Sequence, residues 1–255
     1  MWRKVKPGRR KLKFAPLIAS QSGLGWKVGL INSLFSSSIF QRSYLEIGVR
    51  KGKTFEKVQA FRRVGIEPAP QFSIRMPPGS VLLAGYSDEC LGILADEGIE
   101  FDVVFIDGLH EFEQVTRDFF ASLHLLKKSG VIVLDDVWPR DSMSATPTLT
   151  EHISRTQAGE IKLPGWHGDV WKLVALISSQ FASLTVEIVG GIGNAVGVIR
   201  FSDDGIGEDF SLPDNQVLAR FKRMDIEQFQ ALYTAEKKDL ENDQILVDSV
   251  RAVEE

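Results

Sequence analysis

Three aspartates stand where apolar runs of the sequence end. Asp107 follows the run Phe101–Ile106, and Asp135 and Asp136 follow the run Val131–Leu134. If both runs are neighbouring parallel strands, their carboxyl ends share one crevice. Three carboxylates in one crevice repel each other unless a positive charge neutralises them, and a hard divalent cation such as Mg²⁺, Ca²⁺ or Mn²⁺ does so through oxygen ligands. The spacing therefore predicts a metal site formed by the three aspartates; the alternative is that Asp135 and Asp136 only terminate a strand.

His110 lies three residues after Asp107 and has a side chain suited to proton transfer. Because a neutral imidazole has a pKa near the operating pH, His110 is a candidate general base. Asp107 is the competing candidate, since a carboxylate beside a substrate could also accept the proton. The structural alternative is that His110 only hydrogen-bonds the loop at the start of a helix.

A glycine-containing turn follows the first predicted strand. Its sequence is Gly48-Val-Arg-Lys-Gly52. Glycine lets the backbone pass close to a ligand, and the helix after Gly52 begins with free N–H groups. The spacing differs from G-x-G-x-x-G, which seats a pyrophosphate on a helix N-terminus. The turn therefore predicts a ligand without a pyrophosphate, and it counts against a nicotinamide dehydrogenase on a similar sheet.

Two further polar positions follow the next predicted strands. Glu67 stands about 20 residues after the first glycine of the turn, where an acidic residue can accept hydrogen bonds from both ribose hydroxyls. Ser87 and Asp88 follow the third strand and could contact the same ligand. The structural alternatives are a solvated strand-end glutamate and an ordinary helix N-cap.

Short apolar runs alternate with segments of helical spacing through most of the chain. The predicted strands are Tyr44–Val49, Val64–Ile66, Val81–Ala84, Phe101–Ile106, Val131–Leu134, Leu184–Val189 and Ala195–Phe201. The predicted helices are Lys53–Arg63, Asp88–Asp96, Phe112–Leu126 and Val170–Phe181. Strands this apolar indicate a doubly wound, Rossmann-like α/β fold with a mostly parallel seven-stranded sheet and helices on both faces. We expect the last two strands to form an antiparallel hairpin, and the long connection after Asp135 to be functional or to carry a short helix.

The composition limits the classes of partner. The single cysteine, Cys90, excludes an internal disulfide and a thiolate zinc cluster. The net charge of −4 counts against a nucleic-acid protein that works by bulk charge. No apolar run approaches the roughly 18 residues of a membrane helix. We therefore expect a cytoplasmic protein, without a transmembrane segment, that acts on a small molecule.

Charge divides the chain into a basic N-terminal segment at 1–40, a central domain at 41–202 and an acidic C-terminal helical extension at 203–255. The favoured interpretation of the basic segment is a solvated, partly disordered tail; a transit peptide and a foot on an anionic surface are the alternatives. We expect helical additions at both ends of the domain. The C-terminal helix carries an apolar stripe that predicts either docking on its own core or a homodimer. The residues of this stripe are Phe229, Leu232, Tyr233 and Leu240.

The order and spacing of four segments resemble class I S-adenosylmethionine (SAM)-dependent methyltransferases. The segments are Tyr44-Leu-Glu-Ile-Gly-Val, Gly52-Lys-Thr-Phe, Val64-Gly-Ile-Glu-Pro and Phe101-Asp-Val-Val-Phe-Ile-Asp-Gly-Leu-His110. The similarity is narrower with the bacterial subgroup that includes metal-dependent sugar and natural-product O-methyltransferases. It covers about residues 44–201. It implies methyl transfer to a sugar or phenol hydroxyl, assisted by a divalent metal, with Mg²⁺ expected.

The resemblance also implies roles for individual residues. The implied cofactor-binding residues are Glu46, Gly48, Gly52, Thr54, Glu67, Ser87, Asp88 and Asp107. Glu46, Gly48 and Gly52 would lie against the methionine part of the cofactor. Glu67 would bind the ribose, and Ser87 and Asp88 would lie near the adenine. The metal ligands would be Asp107, Asp135 and Asp136, with His110 or Asp107 as the base.

Two alternatives and one further motif stay open. A non-catalytic protein could keep the fold as a binding or scaffold module, and a methyltransferase could work without a metal. Members of the resembled subgroup often carry a run like Gly168-Asp169-Val-Trp-Lys172, which follows Trp166 and His167 here. Asp169 could cap the next helix, and the two aromatic residues could wall the acceptor pocket. Packing of the loop on the sheet is the alternative.

Overall fold

The computed structural model describes residues 13–15, 24–71, 76–162, 165–202 and 210–231. The strands are β1 Lys13–Ala15, β2 Ser43–Ile47, β3 Arg62–Ile66, β4 Ser80–Leu83, β5 Phe101–Ile106, β6 Leu126–Leu134, β7 Leu184–Val189 and β8 Val196–Phe201. The helices are α1 Leu24–Ser33, α2 Lys53–Lys57, α3 Ser87–Asp96, α4 Phe112–Leu123, α5 Leu149–Gln157, α6 Trp171–Gln180 and α7 Asn215–Lys222. None of the helices in these ranges has the length and apolarity to cross a membrane.

The strands form one sheet in the order β1-β7-β8-β6-β5-β2-β3-β4. All neighbouring pairs are parallel except those of β8, which runs antiparallel to both β6 and β7. This arrangement confirms the doubly wound, mostly parallel sheet with a C-terminal antiparallel hairpin. The short strand β1 extends it by pairing with β7, and was missed because three residues in a basic segment carry no strand pattern.

Two predicted helices run too far. The helix predicted over Lys53–Arg63 ends at Lys57, because Val58 turns into extended backbone and β3 already begins at Arg62. The helix predicted to reach Leu126 ends at Leu123. In both places a polar strand start resembles the end of an amphipathic helix, since only the later residues of the strand are buried on both faces.

The side chains of β5 alternate between two core clusters, one on each face of the sheet. Val103 and Phe105 pack with α1 and α2, whereas Val104 and Ile106 pack with α3, α4 and α6. Helix α1 thus covers the face over β2, β5 and β6, and this confirms an N-terminal helical addition. The placement brings one helix of the N-terminal segment close to the carboxyl ends of the central strands.

The C-terminal part also packs on this chain's own core. Phe229 is fully buried, with its ring centroid 5.5 Å from that of Trp138 and 5.1 Å from that of Trp171. Docking on the core is therefore the outcome for Phe229. The other members of the predicted stripe, Leu232, Tyr233 and Leu240, lie outside the described residues, as does the basic run at 1–12. The long connection after β6 carries α5, the short helix expected there.

Candidate active site

A crevice of about 870 Å³ opens at the carboxyl ends of β2, β3, β5 and β6. It brings most of the predicted residues together. Those that line it are Glu46, Gly48, Thr54, Glu67, Asp107, His110, Asp136 and Trp166. The predicted cofactor half and the predicted chemical half are therefore parts of one cavity.

The glycine turn lies directly against the end of β5. Gly48 has a φ of 90°, and a Cβ at this position would lie 2.1 Å from the carbonyl oxygen of Asp107. Gly52, with a φ of 71°, precedes the first residue of α2. Glycine is required at Gly48 because no side chain fits between the two strand ends. The turn and the Asp107 backbone are consequently in contact.

Glu67 connects two loops that line the crevice. Its carboxylate accepts hydrogen bonds from the N–H groups of Arg50, at 2.7 Å, and Ala69, at 2.9 Å. Each carboxylate oxygen keeps a second lone pair. The ribose-binding role stays a prediction, and the geometry adds a structural role in holding the turn.

Glu46 is buried at the floor of the same half. Its carboxylate accepts a hydrogen bond from the Tyr44 hydroxyl at 2.6 Å. Burial raises the pKa of Glu46 well above its usual range, in spite of that hydrogen bond. Burial therefore favours the protonated form of Glu46.

Ser87 and Asp88 are engaged by a neighbouring helix. Gln114 of α4 donates to the Ser87 hydroxyl at 3.1 Å, and Arg117 pairs with Asp88 at 3.1 Å. Neither residue is part of the crevice lining in the described ranges. Their predicted place beside the adenine stays a prediction.

His110 lies between two of the three predicted metal ligands. Its Nε2 is 3.3 Å from Asp107 Oδ1, and its Nδ1 is 3.5 Å from Asp136 Oδ2. Burial alone would lower the pKa of His110, but the hydrogen bond to Asp107 and the charges of Asp136 and Asp107 raise it to about 9. Burial and the nearby charge of Asp135 raise the pKa of Asp107 to about 7, against the lowering effect of His110. At pH values between about 7 and about 9, the Asp107–His110 pair therefore holds one proton.

The loop before α6 packs against one face of the His110 ring. The rings of Trp166 and His110 stack with centroids 5.8 Å apart, and the Trp166 indole N–H donates to the Thr146 carbonyl at 2.6 Å. Gly168 has a φ of 61°, and a Cβ there would lie 1.9 Å from the His110 carbonyl oxygen. The glycine lets the loop approach His110 closely. His167 hydrogen-bonds the Gly193 carbonyl at 3.1 Å and approaches Asp136 to 4.0 Å.

Asp169 caps α4 rather than its own helix. Its carboxylate accepts from the Phe112 N–H at 2.5 Å and from Lys172 at 3.0 Å. Its N–H donates to the His110 carbonyl at 3.0 Å. The Gly-Asp run therefore holds the segment that carries His110, a role that the sequence pattern did not reveal because the two segments are far apart in the chain.

Lys27 of α1 is the residue that the sequence analysis missed. Its Nζ lies 2.5 Å from Asp135 Oδ1 and 3.8 Å from Asp136 Oδ1. Burial would lower the pKa of Lys27, but the carboxylates of Asp135, Asp136 and Asp107 together raise it, so the ammonium stays charged. The only sequence signal is a lysine inside the apolar stretch Leu-Gly-Trp-Lys-Val-Gly-Leu. A lone cation on a covered helix face needs a partner, but nothing in the pattern says which one.

The arrangement does not fit a divalent metal. Asp135 Oδ1 already accepts from Lys27 and from the Asp136 N–H at 2.9 Å. The imidazole of His110 occupies the space between Asp107 and Asp136. Within the described part of the chain, no group of three or more His, Cys, Asp or Glu residues is placed to hold a metal ion. The negative charges instead face cations of the chain itself.

Comparison with known families matches residues 45–137 to the family model described as a methyltransferase domain. The match begins within β2, ends shortly after β6 and includes the glycine turn, Glu67, Asp107, His110 and both aspartates after β6. The match to a methyltransferase domain agrees with the resemblance and with the predicted enzyme class. Lys27 and the Trp166–Lys172 run lie outside the match. No curated protein sequence is significantly similar to the chain.

Solved structures show only distant likeness. The O-methyltransferase from Bacillus cereus in complex with SAH is 15% identical over 73% of this chain and 84% of that chain, with a TM-score of 0.48. TomG from Streptomyces achromogenes, an O-methyltransferase involved in tomaymycin synthesis, is 16% identical over 71% and 82%, with a TM-score of 0.48. MycE from the mycinamycin biosynthetic pathway, in complex with Mg, SAH and mycinamycin VI, is 17% identical over 74% and 53%, with a TM-score of 0.49. At this distance the likeness assigns neither a metal nor a substrate to the chain.

Proposed function

We propose that the chain transfers a methyl group from SAM to a hydroxyl oxygen of a small molecule. The observation that carries the proposal is the shared crevice. The glycine turn and Glu67 line one half of it, and Asp107 and His110 line the other. Its volume of about 870 Å³ lies in the range of small-molecule sites.

The first half of the crevice suits the cofactor. The turn residues 48–51 line this half, and α2 begins directly behind them. Glu67 stands at the end of β3, where a carboxylate can accept hydrogen bonds from ribose hydroxyls. Its hydrogen bonds to Arg50 and Ala69 hold this carboxylate in one orientation.

The second half suits proton removal from an acceptor hydroxyl. SAM supplies the methyl group: the C–O bond forms as the carbon–sulfur bond breaks, and its electron pair stays on sulfur. We assign Asp107 as the group that takes the hydroxyl proton, because 33% of its side chain is exposed, whereas His110 is 11% exposed and lies under Trp166. A carboxyl group with a pKa of about 7 is well matched to general base catalysis at neutral pH. His110 holds Asp107 in place and stabilises its charge.

The acceptor side is bordered by Trp166 and by Leu149 of α5. An aromatic face packs well against a sugar ring or a phenol ring. We therefore propose a sugar or phenol hydroxyl as the acceptor. A cytoplasmic location, a homodimer and the absence of a nucleic-acid partner stay predictions of the sequence.

Binding titration tests the cofactor assignment. S-adenosylhomocysteine should bind the full chain, and NAD should give no signal. Glu67→Ala should weaken binding by about 1.5–3 kcal/mol, the scale of hydrogen bonds to a charged group. Glu56→Ala removes an exposed carboxylate of α2 and serves as the matched control. Unchanged affinity in Glu67→Ala would remove Glu67 from the site, and binding of NAD alone would favour the dehydrogenase.

A panel of phenols and sugars with methyl-labelled SAM tests the reaction. Label should pass to a hydroxyl oxygen of at least one acceptor class. Tight binding of S-adenosylhomocysteine with no transfer to any acceptor would favour the scaffold alternative.

A further inference from the structure

The carboxylate pair at the end of β6 has a cation from a distant part of the chain beside it. Lys27 Nζ contacts Asp135 Oδ1 at 2.5 Å and lies 3.8 Å from Asp136 Oδ1. The Lys27 side chain is 14% exposed and that of Asp135 is 7% exposed. Because solvent screens such a pair poorly, its attraction exceeds that of an ordinary surface ion pair.

Helix α1 holds this ammonium in place. Trp26 and Ile31 on the same helix are buried in the core cluster on that face of the sheet. Lys27 therefore cannot leave the carboxylates by a shift of the helix without exposing apolar surface. A buried pair that loses one partner leaves an uncompensated charge, which is strongly unfavourable.

The position of Lys27 meets the electrostatic demand that a metal would otherwise meet. Three carboxylates at adjacent strand ends require positive charge between them. The ammonium supplies it at Asp135 and Asp136, and the same Asp136 carboxylate faces His110 at 3.5 Å. A divalent cation would compete with Lys27 for these oxygens.

We propose that Lys27 is the resident counter-ion of the Asp135–Asp136 pair and takes the place of a divalent metal. It is a positioning residue, since it acts on His110 through Asp136. The inference rests on the proposed function only where turnover is measured; metal binding tests it independently.

The first experiment measures Mn²⁺ binding to the full chain by electron paramagnetic resonance, with and without S-adenosylhomocysteine. Lys27→Ala leaves the carboxylates without a counter-ion and should bind Mn²⁺ at least about tenfold more tightly than the wild type, or about 1.4 kcal/mol. Lys27→Arg keeps the charge and should bind as weakly as the wild type. Lys57→Ala removes an exposed lysine of α2 and should also leave Mn²⁺ binding unchanged. Equal Mn²⁺ affinity in Lys27→Ala and the wild type overturns the proposal.

The second experiment measures methyl transfer in excess EDTA. The wild type should keep its full rate, Lys27→Ala should lose most of it, and Lys27→Arg should recover it. Loss of wild-type activity in EDTA with recovery on Mg²⁺ addition overturns the proposal. If circular dichroism shows that Lys27→Ala is unfolded, Lys27→Met takes its place, because it keeps the length of the side chain. Failure of the wild type to bind S-adenosylhomocysteine would refute the proposed function, while the Mn²⁺ titration would still decide the role of Lys27.

Discussion

Two aspartates at opposite ends of β5 have opposite electrostatic surroundings. Asp102, at the amino end, accepts hydrogen bonds from the Ser43 N–H at 2.7 Å, the Ser43 hydroxyl at 2.8 Å and Lys127 at 2.9 Å. Although burial favours its neutral form, these donors lower the pKa of Asp102 below its usual value. Asp107, at the carboxyl end, has His110 as its side-chain partner, but burial and the nearby charge of Asp135 raise its pKa to about 7.

Burial favours the neutral form of both carboxylates; the donors around Asp102 outweigh it, whereas His110 alone does not outweigh it at Asp107. The donors around Asp102 favour its ionised form, so its charge serves the fold. Asp107 has one imidazole partner, His110, which also faces Asp136, and it lies near the like charge of Asp135. Its carboxyl group can therefore gain or lose a proton near neutral pH. Donor supply therefore separates the structural end of the strand from the chemical end.

The largest expected effect comes from Asp107→Asn. It removes the proposed proton acceptor and should lower kcat by about 10²–10⁴. The free energy of unfolding should not fall, because the change removes a charge that the fold holds unfavourably. Labelled methyl transfer and thermal unfolding measure the two quantities. An active Asp107→Asn enzyme would leave His110 as the base.

Asp102→Asn is the matched change at the other end of the strand. It should lower the free energy of unfolding at pH 7 by about 1.5–3 kcal/mol, since it weakens hydrogen bonds to a charged group, and it should leave kcat unchanged. A lowered pKa in the folded state stabilises the fold above the unfolded value and is lost as pH falls through the folded value. The destabilisation should therefore shrink below about pH 4. A loss of activity without a loss of stability would break the comparison.

The pH profile is the smallest effect and the sharpest one. Because the pKa of Asp107 is raised to about 7, kcat/KM should fall about tenfold for each pH unit below that value. If His110 were the base, the rate would keep rising until its own pKa of about 9. The pH at which the wild-type kcat/KM stops rising therefore distinguishes Asp107 from His110 as the base.

The sequence predicted local features better than long-range ones. The strand Phe101–Ile106 and the glycine turn were placed correctly because their patterns are contiguous in the chain. The start of β6 was placed wrongly, since the polar residues near its start resemble the end of a helix. Among the site residues, Asp107 and His110 lie together in one crevice, as strand-end placement predicts.

The long-range partners of the charged side chains could not be predicted from the sequence, for a physical reason. The pairing of Lys27 with Asp135 joins residues 108 positions apart. The hydrogen bond from Phe112 to Asp169 spans 57 positions. Periodicity reports which face of an element is buried, but it does not report which other element covers that face. The metal site at Asp107, Asp135 and Asp136 stays a prediction, and the cationic side chains that face these carboxylates in the structure, Lys27 and His110, were not predicted as their partners.

Helix α1 changes where the working unit of this chain begins. The matched methyltransferase segment starts at residue 45, but the ammonium that faces Asp135 comes from residue 27. A fragment that starts at the family boundary would keep the glycine turn but lose Tyr44, the α1 cover over Phe55 and the Lys27 ammonium beside Asp135. A fragment of this chain should therefore start before Leu24. Amide hydrogen exchange in α1 should slow together with that of β6 when a ligand occupies the crevice.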